Sequence, residues 1–176
     1  MKDIIKPVVV LAAICLIVTA MLAYVNMMTK PVIKAAEEKT AAQARSEVLS
    51  EAESFERLDG IKLPEGITEI YRGSDNTGYV IMMQAKGYGG DIKLICGIHP
   101  DGSIEAVKTL SHSETSGIGS KVVDNGSAYR QQYKGKDHSS YKDVDAVTGA
   151  TISSTAYKKA VGLAFKAFLA VKEAEE

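Results

Sequence analysis

The sequence predicts an α+β fold in which one N-terminal transmembrane helix is followed by a single domain with an antiparallel sheet and packed helices. Three observations carry that prediction. An uncharged apolar run occupies residues 7–28, the middle of the chain alternates with a period of two between turn signals, and the last quarter turns to helical spacing. The chain has 176 residues. Roughly 140 remain outside the apolar run, enough for one domain with its own core.

Residues 7–28 read PVVVLAAICLIVTAMLAYVNMM, with only Thr19, Tyr24 and Asn26 as polar groups. About 22 residues at a rise of 1.5 Å give roughly 33 Å, which covers a hydrocarbon core of about 30 Å. A cleaved leader is the rival reading, with residues 18–20 as a weak cleavage site. Its apolar run would be shorter, about 7–15 residues, so a retained anchor is expected. Lys2 and Lys6 precede the run, whereas Lys30, Lys34, Lys39 and Arg45 follow it, so the basic residues leave its orientation open.

Residues 32–57 are rich in Ala and Glu, with Lys and Gln among them, all good helix formers, and predict a continuing stalk helix whose last turns dock on the domain, with Val48, Leu49 and Phe55 toward its end. Asp59-Gly60 would end it. The expected boundaries are an anchor at 1–30, a stalk at 31–57 and a domain at 58–176.

Four strands are expected, at 67–72, 79–85, 91–98 and 103–110. Gly-Ser-Asp-Asn-Thr-Gly joins the first pair as a hairpin, and His-Pro-Asp-Gly joins the second pair as a tight turn. Ile92, Leu94, Cys96 and Ile98 share one face by the period of two, so Cys96 is expected as a buried small hydrophobe. From 153 to 173 the spacing is helical. Tyr157, Val161, Ala164, Phe165 and Phe168 form a stripe with the lysines largely elsewhere, and Ser153 or Ser154 reads as the N-cap.

Composition removes several classes of function. A net charge of −1 without a basic aromatic stripe gives no case for a nucleic acid partner. Two cysteines, one inside the apolar run, make a disulfide framework improbable, and the three histidines show no metal-ligand spacing. No nucleophile elbow or related catalytic signature occurs. Chemistry is therefore expected to belong to a cofactor.

Two segments carry that expectation. In Asp145-Ala-Val-Thr148-Gly149-Ala150-Thr151-Ile-Ser-Ser, hydroxyls and a glycine stand where a loop meets the last helix. One reading is a capped helix start. The other is an anion site, because unpaired N–H groups and the helix dipole favour a phosphate, and Gly149 and Ala150 let it approach. The second segment, His112-Ser-Glu114-Thr115-Ser-Gly117-Ile118-Gly119-Ser-Lys121, follows a strand. It reads either as a glycine-rich surface connection or as a loop that covers a planar ring. Glu114 beside His112 reads as a solvated pair. Lys121 and Lys142 read as surface lysines, with steadying a phosphate as the alternative.

Taken together these residues resemble the FMN-binding domain family, which includes the G subunit of the Rnf membrane complex and the C subunit of the sodium-pumping NADH:quinone reductase. The family's D-x-x-[ST]-G-A-[ST] motif is matched by Asp145, Thr148, Gly149, Ala150 and Thr151. Its H-x-E-T-x-G-[IL]-G loop is matched by His112, Glu114, Thr115, Gly117, Ile118 and Gly119, with Ser116 where proline is common. The resemblance, anchor included, covers nearly the whole chain, and the short length favours the Rnf subunit. It implies FMN linked through its phosphate to Thr151 by a separate flavin transferase that uses FAD and magnesium. It places Thr148, Gly149 and Ala150 in the phosphate turn and Glu114, Thr115 and Ile118 near the isoalloxazine. Asp145 would brace the turn or serve recognition by the transferase.

The same resemblance implies a single-pass protein of the cytoplasmic membrane with its domain on the extracytoplasmic side. It would relay electrons beside other membrane and iron–sulfur subunits, between ferredoxin and NAD, coupled to sodium or proton transport. The alternatives are a stand-alone membrane-tethered flavoprotein, the C subunit of the sodium-pumping enzyme and, from a different class, a pilin-like structural domain. The last lacks the glycine and glutamate expected around its apolar run.

Overall fold

The structure is a computed structural model that describes residues 2–61 and 63–175, with side chains from Ile5 onward. It divides into two compact units, Met1–Thr40 and Ala41–Glu176. Helix α1 (Lys2–Val48) supplies the first unit. Among the described residues it is the one helix long and apolar enough to cross a membrane. Two of its threonines bond back to the helix's own backbone, which lowers the cost of placing a hydroxyl in an apolar stretch. The hydroxyls of Thr19 and Thr29 donate to the carbonyls of Cys15 and Val25 at 2.7 and 2.9 Å. Pro31 lies inside the helix and removes one backbone donor.

The second unit is built on a five-stranded meander: β1 (Phe55–Arg57), β2 (Ile67–Gly73), β3 (Tyr79–Lys86), β4 (Asp91–Ile98) and β5 (Ile104–Ser111). All neighbours are antiparallel and the order follows the chain. The four expected strands are therefore present. The β2–β3 connection is a tight turn with Asp75 and Asn76 at φ of 54° and 56°, the primed geometry that matches strand twist.

The helical continuation past residue 30 is also observed, but it ends at Val48 instead of running to 57, and residues 55–57 form an edge strand. Side chains of β5 and of the β2–β3 connection take donors that a longer helix would have used. The Ser50 amide donates to Glu105 at 3.1 Å, and the Glu53 and Ser54 amides donate to Ser74 Oγ at 3.1 and 3.3 Å.

Both faces of the sheet are covered. Ile92, Leu94, Cys96 and Ile98 lie in one core with Tyr157, Val161, Ala164, Phe165 and Phe168 of the last helix, α4 (Thr151–Glu175). Each fully buried aromatic or branched side chain there contributes about 1.5–3 kcal/mol. Cys96 has no exposed surface, and burial pushes its thiol well up, so it behaves as a hydrophobe. On the opposite face Ala44, Val48, Leu49 and Ala52 pack on Tyr71, Val80 and Ile95, and the Arg45 guanidinium lies 4.3 Å from the centre of the Tyr71 ring.

The outer edge of β5 is closed by the segment that follows it. That segment contains two short helices, α2 (Ser120–Val123) and α3 (Ala128–Gln131). Asn125 exchanges two hydrogen bonds with the Thr109 backbone at 3.0 and 3.1 Å, and Arg130 Nη1 donates to the Val107 carbonyl at 2.8 Å. These contacts satisfy edge groups that would otherwise invite another strand.

At the far end of α4, Glu175 accepts from Arg72 and from the Tyr79 hydroxyl. The Tyr79 hydrogen bond, followed by Arg72, holds this carboxyl below its ordinary range. A depressed carboxyl contributes stability above its unfolded value, about 4.3, and loses it as pH falls through the folded value. Glu175 is partly exposed, so screening limits the contribution to about 1 kcal/mol or less. Urea titrations of the parent and Glu175→Gln should therefore differ at pH 7, narrow below about pH 4.3 and converge only once the pH has fallen through the lower folded value. A gap that persists at acid pH would remove the carboxylate from this role.

Candidate functional site

Three connections meet at the sheet end where β3 stops, β4 starts and β5 stops. They are the turn at residues 87–90, the loop at 112–119 and the loop that enters α4 at Thr151. Together they line a cleft of about 620 Å³ formed by Tyr88, Glu114, Thr115, Ile118, Gly119 and residues 149–153. The two sequence motifs, separated by 25 residues or more, thus share one site.

The entry to α4 is built from local bonds. Residues 148–149 turn with Gly149 at φ +81°, and the Ala150 amide donates to the Val147 carbonyl at 2.9 Å. The first i→i−4 bond runs from the Ser154 amide to the Ala150 carbonyl, at 2.9 Å. The amides of Thr151, Ile152 and Ser153 precede it and have no carbonyl one turn back within the helix. They stand at the positive end of the α4 dipole, on the cleft wall.

Ser153 and Ser154 are not the N-cap that their residue type predicts. The helix starts two residues earlier, and both side chains turn to distant partners. Ser153 Oγ donates to Glu114, and Ser154 Oγ accepts from the Val147 amide at 3.0 Å. Below them the Tyr129 hydroxyl donates to the Ser154 carbonyl at 2.9 Å. Burial pushes this phenol up, so it remains a neutral donor.

Glu114 is likewise not a solvated partner of His112. It is buried, its carboxylate accepts from the Gly89 amide at 3.0 Å and from Ser153, and only its backbone N–H meets His112 Nδ1, at 3.2 Å. Thr115, Ile118, Gly119, Gly149, Ala150 and Thr151 line the cleft as a group. Asp145, Thr148 and Gly117 do not. Asp145 borders a neighbouring cleft with Lys121 and Asp124, and Lys142 borders another with Lys158.

Tyr88 and Ile152 belong to the site and carried no motif. Together with Ile118 they expose 72, 57 and 53 % of their surface around the cleft. Three large apolar side chains held open beside unpaired amides fit a ligand with a flat apolar part and an anionic part. FMN has both. The sequence signal for Tyr88 was its frame, Gly87-Tyr88-Gly89-Gly90, an aromatic set among glycines between two strands.

Comparison with known proteins addresses the same regions. Residues 87–166 match the model of the FMN-binding domain, and residues 1–48 match that of the RnfG N-terminal region. The G subunit of the proton-translocating ferredoxin:NAD(+) oxidoreductase complex of Clostridium ljungdahlii is 30 % identical over 156 residues, which cover 84 % of this chain and 82 % of that protein. The chain belongs to the family of Rnf complex G subunits. The G subunit of the Na(+)-translocating ferredoxin:NAD(+) oxidoreductase complex of Acetobacterium woodii is 27 % identical over 183 residues, covering 90 % of this chain and 88 % of the relative. The G subunit of the ion-translocating oxidoreductase complex of Methanosarcina acetivorans is 30 % identical over 173 residues, covering 88 and 89 %. Both motifs and the whole cleft fall inside the FMN-binding match, and the apolar run falls inside the N-terminal one.

Proposed function

We propose that this chain is the electron-carrier subunit of a membrane-bound, ion-translocating ferredoxin:NAD(+) oxidoreductase complex, with FMN esterified through its phosphate to Thr151. The observation that carries the reading is the place of Thr151. It is exposed on the cleft wall, at the first residue of α4, beside a left-handed Gly149 and an exposed apolar rim.

Thr151 would tether the phosphate, with the first-turn amides and the α4 dipole balancing its charge. A dipole contribution of about 0.3–1 kcal/mol is usual at such a terminus. Thr148, Gly149 and Ala150 would shape the turn, and no atom lies within 4 Å of where a Gly149 Cβ would stand. Thr115, Ile118 and Gly119 would border the ring, and Gly117, at φ +80°, would shape the loop that presents Ile118. Asp145, exposed at the adjoining cleft, would serve recognition by a separate flavin transferase. FMN supplies reversible electron uptake and release. This chain would hold it at a fixed place on the extracytoplasmic side, beside other membrane and iron–sulfur subunits.

The experiment is an intact mass of the full chain, produced with a flavin transferase and FAD. A gain equal to FMN less water, with in-gel flavin fluorescence, is expected. An unmodified mass would overturn the covalent reading. Copurification with several polytopic subunits is expected as well, and isolation as a lone chain from native membranes would contradict the complex.

A further inference from the structure

A carboxylate buried away from water costs several kcal/mol unless it is paired or hydrogen-bonded, so a buried one outside the core has a local reason. Glu114 is 8 % exposed, and its two oxygens are occupied by two different segments. One accepts from the Gly89 amide in the β3–β4 turn, at 3.0 Å, and the other accepts from the Ser153 hydroxyl in the first turn of α4. The backbone around it is cleared by glycine. A Cβ at Gly87 would collide with Glu114 Oε1, and one at Gly119 would stand 2.7 Å from Oε2. Both oxygens are thus turned into the protein, which is the posture of a fastening and not of a ligand contact. Tyr88, between two of these glycines, is held with its ring exposed on the cleft wall.

We propose that Glu114 is a positioning residue: its carboxylate latches the β3–β4 turn to the first turn of α4 and so fixes Tyr88 as the aromatic wall of the cleft. Charge-assisted hydrogen bonds of this kind are about twice as strong as neutral ones, and two of them joining three segments hold a glycine-rich turn that would otherwise be loose. The role assigned to the Tyr88 ring rests on the flavin reading above. The latch itself does not.

The test uses the full chain in detergent, in two arms. In the first, hydrogen exchange of the segment 86–91 is followed without flavin. Glu114→Ala should raise its exchange about tenfold, the effect of losing a net hydrogen bond of about 1.4 kcal/mol. Glu114→Gln should stay near the parent rate, because its amide oxygen still accepts from Gly89 and its amide nitrogen donates to Ser153 Oγ. If Glu114→Gln opens the turn as far as Glu114→Ala, or if Glu114→Ala leaves it closed, the latch is wrong. Should Glu114→Ala not fold, Ser153→Ala removes one of the two bonds and should open the same segment less. An unchanged rate there counts against the proposal.

The second arm reads flavin emission in the loaded chain. An electron-rich phenol beside the isoalloxazine quenches it, and the sequence has no tryptophan to mask the effect. Tyr88→Leu and Glu114→Ala should brighten the emission and Glu114→Gln should not. Unchanged emission in Tyr88→Leu would remove the aromatic wall. A parent chain that takes up no flavin would sink the proposed function, while the exchange arm would still decide the latch.

Discussion

A single methyl group at Gly97 is expected to destabilise the domain by about 3 kcal/mol or more, among the larger effects of one substitution. Gly97 lies on the face of β4 opposite Cys96, where the end of α1 packs. A Cβ there would collide with the Val48 carbonyl oxygen and come within 3.3 Å of the Leu49 nitrogen. These are backbone atoms, so no rotamer change relieves the clash. The helix end must lift, loosening Val48 and Leu49 from Ile95 and straining the Ser50 bonds to Glu105. Gly126→Ala is the control, because nothing lies within 4 Å of its Cβ position and its φ is not positive. Urea denaturation at constant m should show a much lower midpoint for Gly97→Ala than for Gly126→Ala. Equal midpoints would mean that the helix end does not sit against β4.

The contrast between the two faces of β4 shows what local pattern reveals. Ile92, Leu94, Cys96 and Ile98 announce a core face by alternation, and they are buried. The opposite face offers Ile95 and Gly97, a pattern that reads as solvent-facing. Its cover comes from the end of α1, where Val48 and Leu49 dock as expected, together with Ala44 and Ala52, small residues that carry little apolar signal in a stretch rich in Ala and Glu. Strand β1 was illegible for a related reason. Phe55–Arg57 is too short to alternate, and the stop before it depends on Glu105, 55 residues from Ser50. At the site, the loops at 112–119 and 145–151 were legible because their residue types are unusual in combination. Ser153 and Ser154 misled because a cap is a local inference, whereas their partners are Glu114 and Val147. Tyr88 was missed because glycines around an aromatic look like any turn until the Gly89 amide beside it is seen to donate to the distant Glu114.

Replacement of Thr151 by alanine is expected to abolish covalent flavin while leaving the fold intact. The side chain is exposed, and it begins α4 without entering the core behind it. Alanine is a good helix former, so stability should stay within about 0.5 kcal/mol. Thr151→Ser keeps a hydroxyl at the same place and should retain a label. Thr148→Ala is the discriminating companion. Thr148 carries the same group in the same loop, but it sits in the turn before the helix and outside the cleft lining. It should keep a label, lowered only as far as its loss loosens the turn, whereas Thr151→Ala should carry none. The readout is the intact mass of each variant made with the transferase, with a thermal melt of the unlabelled chain beside it. A label that survives in Thr151→Ala and disappears in Thr148→Ala would move the attachment by one turn of the loop. A label lost from Thr151→Ala together with a lowered melt would instead report damage to the α4 start. Loss of the label with an unchanged melt is the result that makes Thr151 a tether, because only the hydroxyl at the mouth of the cleft has then been removed.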